Sequence, residues 1–446
     1  MSRYLSLLLI LLLSLNCFAE ITTNPAPVDS LVKKTYLLPT VRVIADKPED
    51  AIGALHIIDY IEQKGIAALN LYEGLQDIAG VTNTTGTKDE SNLRIRGFRS
   101  NEVKVLVDGR PLNSGYFGNI DLHQFSPSDI KEIHIIKGPS AAIYGTNTMG
   151  GVVNIITSDP GKDSWLKLNL LAKRNNANRF EISSDHKLKK FGYRVSLARE
   201  HNEGIVLSKD FTPTPFENGG VRNHSLKTQY DFQTRFDYEF NPFRQVGASA
   251  GFTYVPKKLI PSSIYTLDYR QYTDWMHYWT TLEYVDILNE FLKLSSHLYY
   301  DGGQDIYREY SDASHQYLIL DSHMRYYTLG FNPRMEWVPD AWNTFNFGFR
   351  LESMHSTRKD NGNYLQWTPH WLNIYNAFCQ WKYQLNNKVN FLAGLGASSH
   401  HCDVKSSLSF FPEPSAALNF KWNELSKSTI SIGNNISFPT MRQLFS

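Results

Sequence analysis

Long apolar runs are almost absent from this chain. After residue 15 no stretch approaches the roughly 20 apolar residues of a membrane-spanning helix, and the mean hydropathy of −0.36 excludes a helical membrane protein although 13% of residues are aromatic. Charge of one sign is lacking too. A formal net charge of +1 over 446 residues gives no electrostatic case for nucleic acid or an acidic partner. Cysteine is scarce, at three residues, and no nucleophile elbow, phosphate loop or paired metal-binding cysteines occur, so no catalytic residues are assigned and no enzyme or cofactor is expected.

The one apolar run, residues 5–15, follows Arg3 and precedes small residues around Cys17 and Ala19. About eleven residues is too short to span a bilayer and fits a secretory signal peptide cut after Ala19, so residues 1–19 are expected to be removed. A lipidated Cys17 fits less well, because Asn16 precedes it where such processing prefers a small residue. Cys379 and Cys402 then remain in an oxidising compartment that permits a disulfide without requiring one.

Residues 20–50 read as a tether, rich in Thr, Asn and Pro and without a period of 2 or 3.6. Within it Thr40, Val41, Arg42, Val43 and Ile44 form a short β-branched run between Pro39 and Pro48, suited to adding to the edge of another protein's sheet. Residues 51–160 read as a small α/β domain. His56-Ile57-Ile58 is a short strand, residues 60–78 carry apolar positions at helical spacing, and 93–98 and 103–107 alternate in period 2, the latter closed by the turn pair Asp108-Gly109.

From 161 to 446 the chain repeats alternating strands. In the stretch from Tyr230 to Phe240, aromatics hold almost every even position and charged or amide side chains every odd one, which suits lipid on one face and a polar lumen on the other. Thirteen strands are expected, near 165–173, 179–188, 192–200, 226–240, 244–255, 276–285, 291–300, 323–337, 343–356, 370–385, 388–400, 414–424 and 428–437. Short turns at 189–190, 241–243, 339–341, 386–387 and 424–426 alternate with long polar loops such as 201–225, 256–275 and 301–322, as in outer-membrane barrels. A two-residue turn at Asn386-Asn387 places Cys379 beside Gly394 and Cys402 beside Trp371, too far apart to bridge.

Leu93-Arg94-Ile95-Arg96-Gly97-Phe98, then Val107-Asp108-Gly109-Arg110-Pro111, resembles the first half of the plug of a TonB-dependent outer-membrane receptor. Lys137-Gly138-Pro139-Ser140, Ile143-Tyr144-Gly145 and Gly150-Gly151-Val152-Val153-Asn154 are similar to its second half in the same order. The glycines allow turns and close backbone approach, and Arg94, Arg96, Glu132 and Lys137 are candidates to face a polar barrel wall. Residues 40–45 resemble the TonB box, with Arg42 interrupting the usual run, and residues 437–445 resemble a motif found partway round the family's barrel.

The resemblance implies a mixed fold, a plug followed by an antiparallel transmembrane β-barrel holding about 13 of about 22 strands. Nine more strands would need roughly 190 residues at this chain's spacing, so a truncated product or fragment is expected. It further implies an outer-membrane transporter whose partners are the TonB energy-transducing protein, outer-membrane lipid and a small ligand, an iron chelate such as a ferric siderophore or cobalamin. The alternatives are a haem receptor, for which His400 and His401 are the weak metal candidates, and a remnant that binds ligand without transport. About twenty residues between the cleavage site and Thr40 leave no room for an extra signalling domain there.

Overall fold

The structure, a computed structural model, describes residues 54–59, 70–75, 78, 80–86, 88–112, 116–118, 121–126, 129–138, 141–161, 165–403, 409–423 and 426–445, all within one unit, Tyr36–Ser446. The expected signal peptide, the segment 40–44, Pro139 and most of the helix expected over 60–78 lie outside these residues. Of that helix the described part is one turn, α1 (Leu71–Gly74), capped by the Asn70 side chain, which accepts from the Glu73 N–H at 3.1 Å.

The first domain holds β1 (Ala54–Asp59), β2 (Val81–Thr85), β3 (Ser91–Ile95), β4 (Val103–Val107), β5 (Arg110–Pro111), β6 (Ile130–Lys137), the turn α2 (Ala141–Tyr144) and β7 (Gly151–Thr157). Five strands form one sheet in the order β1-β6-β7-β4-β5, with β4 parallel to β7, while β2 and β3 pair as a separate hairpin. Period-2 alternation sends Val105, Ile133, Ile135 and Val153 to one face, where Leu71 and Leu93 complete an apolar core. Each fully buried aliphatic side chain contributes about 1.5–3 kcal/mol. The opposite face carries Leu106, Ile136 and Val152, packed with Tyr144 and with Val285 of the large sheet.

Asp108-Gly109 makes the tight turn, both residues with positive φ (49° and 81°), between Val107 and its partner Arg110. The Asp108 carboxylate accepts from the Thr157 N–H (3.0 Å) and hydroxyl (2.7 Å), and the Gly109 N–H donates to the buried Asn154 Oδ1 at 3.2 Å. The turn is thereby tied to β7.

The remaining strands are β8 (Trp165–Ala172), β9 (Asn178–Leu188), β10 (Phe191–Asn202), β11 (Lys227–Asn241), β12 (Arg244–Ile260), β13 (Tyr269–Asn289) and β14 (Leu292–Tyr310). They continue as β15 (Leu318–Trp337), β16 (Asn343–Asp360), β17 (Thr368–Gln384), β18 (Val389–Cys402), β19 (Phe411–Lys421) and β20 (Lys427–Gly433). All thirteen form one antiparallel sheet in sequence order, with β8 and β20 at its edges. On β11 the two faces separate as the sequence requires: Tyr230, Phe236, Tyr238 and Phe240 are exposed, and Gln229, Asp231 and Arg235 are buried on the face toward the plug.

Outward aromatics gather in two bands. Tyr278, Tyr300, Tyr327 and His355 stack in series (6.0, 5.7 and 5.0 Å between centroids), and Trp337, Phe345 and Trp381 do so nearer the short turns (5.3 and 6.4 Å). On β15, Tyr327 and Trp337 are separated by about 34 Å of strand, or roughly 25 Å along the normal of a barrel tilted by about 40–45°. That is the height of a membrane band.

Several expectations need correction. β13 and β14 run to 21 and 19 residues, well beyond 276–285 and 291–300, and the last strand stops at Gly433 rather than 437. Beyond the upper aromatic band the strands go on pairing with polar and aromatic side chains on both faces, which erases the alternation and reads as loop. The turn after β17 spans three residues, because the Asn386 side chain accepts from the N–H groups of Lys388 (2.8 Å) and Val389 (2.9 Å). Register therefore moves by one, placing Cys379 opposite Leu395 and Cys402 opposite Leu372, and both cysteines are free. Arg94 and Arg96 are exposed rather than set against the wall, because Leu93 and Ile95 take the core face of β3. Glu132 lies 3.2 Å from His134 on its own strand, and Lys137 is half-buried at the end of β6.

Candidate ligand site and plug interface

The inner face of the sheet grips the first domain through charge. Arg110, carried by the Asp108-Gly109 turn, is fully buried and ion-pairs with Asp301 of β14, which also lies 3.0 Å from His277 Nε2; the Arg110 guanidinium sits 4.7 Å over the Trp279 ring. Asp129 meets Arg194 at 2.6 Å, and Arg179 donates to the Ser126 hydroxyl at 2.6 Å. Arg350 donates to the carbonyl of Tyr144 and Arg334 to that of Ile143 (3.0 Å), so wall arginines hold the α2 turn by its backbone. Gly145 lies against the same Arg350, where a Cβ would stand 3.4 Å from the guanidinium.

Asp121 faces Lys258 of β12 at 3.0 Å. Burial pushes its carboxyl up, but the Lys258 ammonium, His123 and the Ser91 N–H outweigh this and hold it well below the usual carboxylate range. Lys104 lies 3.7 Å from Glu352, which also accepts from the Tyr299 hydroxyl at 2.9 Å. Burial nevertheless pulls the Lys104 ammonium down to about 8 from its ordinary 10.5. The folded state therefore binds fewer protons than the unfolded chain between those values, and stability rises with pH across that window. In urea unfolding, the plug's midpoint is expected to climb from pH 8 to pH 10 and to lose that climb in Lys104→Met; an equal climb in the variant would refute the assignment.

Residues 437–445 close the arrangement from inside. Asn147 donates its N–H to the Ile436 carbonyl (2.9 Å) and accepts from the Phe438 N–H (2.8 Å), and the Arg442 N–H of the helical turn α3 (Met441–Phe445) donates to the Tyr116 carbonyl (2.9 Å). This motif seats on the plug.

A cavity of about 810 Å³ opens between the plug and the long-loop end of β8–β12. Tyr72, Glu73, Asp89 and His123 line it from the plug, with Lys173, Arg174, Glu200, Arg222, Lys227 and Lys258 among its lining from the wall and loops. A second cavity of about 250 Å³ lies among Lys88, Phe117, Tyr272, Trp275, Asp305 and Arg442.

The motif residues Gly97, Asp108, Gly109, Gly138, Gly150, Gly151 and Asn154 shape the plug's own backbone, at positive φ for Gly97, Gly109, Gly138 and Gly151, and none of them lines either cavity. Of the motif residues, Tyr144 meets the wall through its carbonyl, which accepts from Arg350, and Gly145 packs against the same guanidinium. His400 and His401 point to opposite faces of β18, His400 buried against Phe438 and His401 against Trp371, so adjacent imidazoles on one strand do not converge on a metal. Among the described residues no group of three or more His, Cys, Asp or Glu side chains could hold a metal ion. Sequence reasoning missed Lys104 on the plug and Lys258, Asp301 and Glu352 on the wall, because each acquires its meaning from a partner far along the chain.

The family model described as the TonB-dependent Receptor Plug Domain matches residues 49–152. Among solved structures, the copper transporter OprC is 14% identical with a TM-score of 0.71, covering 88% of this chain and 66% of that one. The FrpB iron transporter from Neisseria meningitidis is 15% identical at a TM-score of 0.72 (88% and 66%), and the ferric citrate transporter FecA in its unliganded form 16% at 0.65 (84% and 61%). This chain thus spans just under two thirds of the length of these structures, and at such identities the likeness is one of fold. Residues 49–152 thus match the plug domain of TonB-dependent receptors, and the chain carries the plug-and-sheet fold of such receptors.

Proposed function

We propose that this protein works as a TonB-dependent receptor of the bacterial outer membrane, taking up a scarce nutrient such as a ferric siderophore or cobalamin. The observation that carries the reading is the plug–wall interface: a plug-family domain is held in the sheet by desolvated ion pairs and backbone hydrogen bonds, beside two apolar contacts, Val285 with Leu106, Ile136 and Val152, and Tyr116 with Met324, Tyr326 and Leu372. Polar contacts of fixed geometry hold firmly in one position and lose their energy within a short displacement, as a domain that must be moved requires. The two aromatic bands support a lipid-facing outer surface, and solved structures of the same fold are transporters of copper, iron and ferric citrate.

In this reading the ligand settles in the 810 Å³ cavity from the long-loop side. Its contacts with plug residues such as Tyr72 and His123 favour one plug state, and residues 40–44 are pulled from the short-turn side by the TonB energy-transducing protein through strand addition. Residues 1–19 serve as the export signal and 20–50 as the tether. No covalent step is needed.

Deleting residues 40–44 is the test. Cells lacking other receptors and expressing the deletion are expected to bind the nutrient at wild-type affinity and accumulate essentially none of it; accumulation at the wild-type rate would overturn the transport reading.

A further inference from the structure

We propose that the outer cavity is an anion site that takes a metal chelate of net negative charge, recognised through carboxylate-type oxygens; this rests on the receptor reading above and specifies its ligand. The charges lining the cavity fall into two groups. Each of its carboxylates has a lysine partner: Glu73 with Lys173 at 2.7 Å, Glu200 with Lys227 at 3.7 Å, and Asp89 with Lys258 at 3.4 Å, the last shared with Asp121 behind it. Two guanidiniums stand outside this matching.

Arg174, on the turn between β8 and β9, has no acidic partner among the described residues. Arg222, on the loop between β10 and β11, spends one N–H on the Ser262 carbonyl (2.8 Å), while its Nε is buried without a hydrogen-bond partner among the described residues. A buried charge-bearing donor left unsatisfied is costly, and an anionic oxygen entering the cavity removes that cost.

The backbone segments that carry the two arginines, Arg174 exposed and Arg222 half-buried, are also held in place before any ligand arrives. Asn175 and Asn176 adopt positive φ (59° and 51°) and donate side-chain N–H groups to the Gly204 carbonyl (3.1 Å) and Glu203 (2.8 Å), clasping the first turn to the second loop. Within that loop the Arg222 N–H donates to the Ile205 carbonyl at 2.8 Å, fixing the backbone from which its guanidinium projects. Two planar forks on separate, mutually braced segments suit a ligand with several carboxylate or other anionic oxygens, and a cavity of about 810 Å³ fits the size range of small ligands. A cationic chelate would meet the surplus of positive charge.

The experiment is equilibrium binding to outer membranes carrying the full chain, with three probes: ferric citrate, a positively charged ferric trihydroxamate and neutral cyanocobalamin. Ferric citrate is expected to bind at least tenfold tighter than the other two and to weaken with added salt. Arg174→Gln and Arg222→Gln are each expected to weaken it roughly tenfold, with Arg→Lys at either position recovering only part of the loss. Equal or tighter binding of the cationic or neutral probe, or a double variant that holds ferric citrate like the wild type, overturns the proposal while leaving the receptor reading intact. Binding of no probe by a chain whose plug resists protease would sink both.

Discussion

Replacing Asp301 with alanine is expected to unseat the plug. The substitution strands the Arg110 guanidinium, now fully buried, without its counter-ion, and removing one partner of a buried pair costs about 3–5 kcal/mol. The Trp279 ring beneath Arg110 and the nearby His277 carry no negative charge, and Asp108, the carboxylate that remains nearby, is committed to the Thr157 N–H and hydroxyl, so they recover little of this. Removing both charged partners together behaves differently: Arg110→Met with Asp301→Leu leaves no orphaned charge and is expected to lie within about 1–2 kcal/mol of wild type. Urea unfolding followed by hydrogen exchange in β4–β7 separates the cases. Additive losses in the double variant would mean that the pair does not hold the plug.

Gly151→Ala is expected to be the most damaging single change within the plug. Gly151 opens β7 at φ +126°, and a Cβ there would fall against the carbonyl oxygen of Ile136, a backbone atom of the neighbouring strand that cannot swing aside. Strain and clash together amount to about 2–4 kcal/mol, a large part of a small domain's stability. Gly97 makes the contrast: its φ is +85°, but a Cβ would meet nothing within 4 Å, so Gly97→Asn is expected to cost under about 1 kcal/mol. The two variants are compared by the protease resistance of the plug in detergent. Equal resistance would show that the glycine pair at 150–151 is not a packing requirement.

The strand pattern was readable because two solvents act on two faces. From Tyr230 to Phe240 that opposition repeats at every even position but Thr234, and all thirteen strands follow from the same signal. The long ends of β13 and β14 were not readable, since beyond the membrane band polar and aromatic side chains fall on both faces and leave no alternation to see. The plug's turns were legible from residue type, as at Asp108-Gly109, whose positive φ values its residues allow at little cost. Its grip on the wall was not. Arg110 and Asp301 lie 191 residues apart, and Asp121 and Lys258 137 apart, so these pairings depend on the stagger of many strands at once. The one-residue turn error at Asn386 shows how little slack such an inference has: it moved the predicted neighbour of Cys379 from Leu395 to Gly394.

The most direct test of the account is a cross-link between plug and wall. Asp129→Cys and Arg194→Cys, a plug–wall pair that lines neither cavity, in a chain whose Cys379 and Cys402 are replaced by serine, would be treated in whole cells with a short cleavable bifunctional maleimide. Asn376→Cys and Ser398→Cys, cross-strand partners on β17 and β18, serve as the control pair. We expect a peptide joining positions 129 and 194, retained ligand binding, and accumulation that stops until the linker is cleaved. Full accumulation with that cross-link in place, or no joined peptide when the control pair reacts, would contradict a plug held in the wall and moved during uptake.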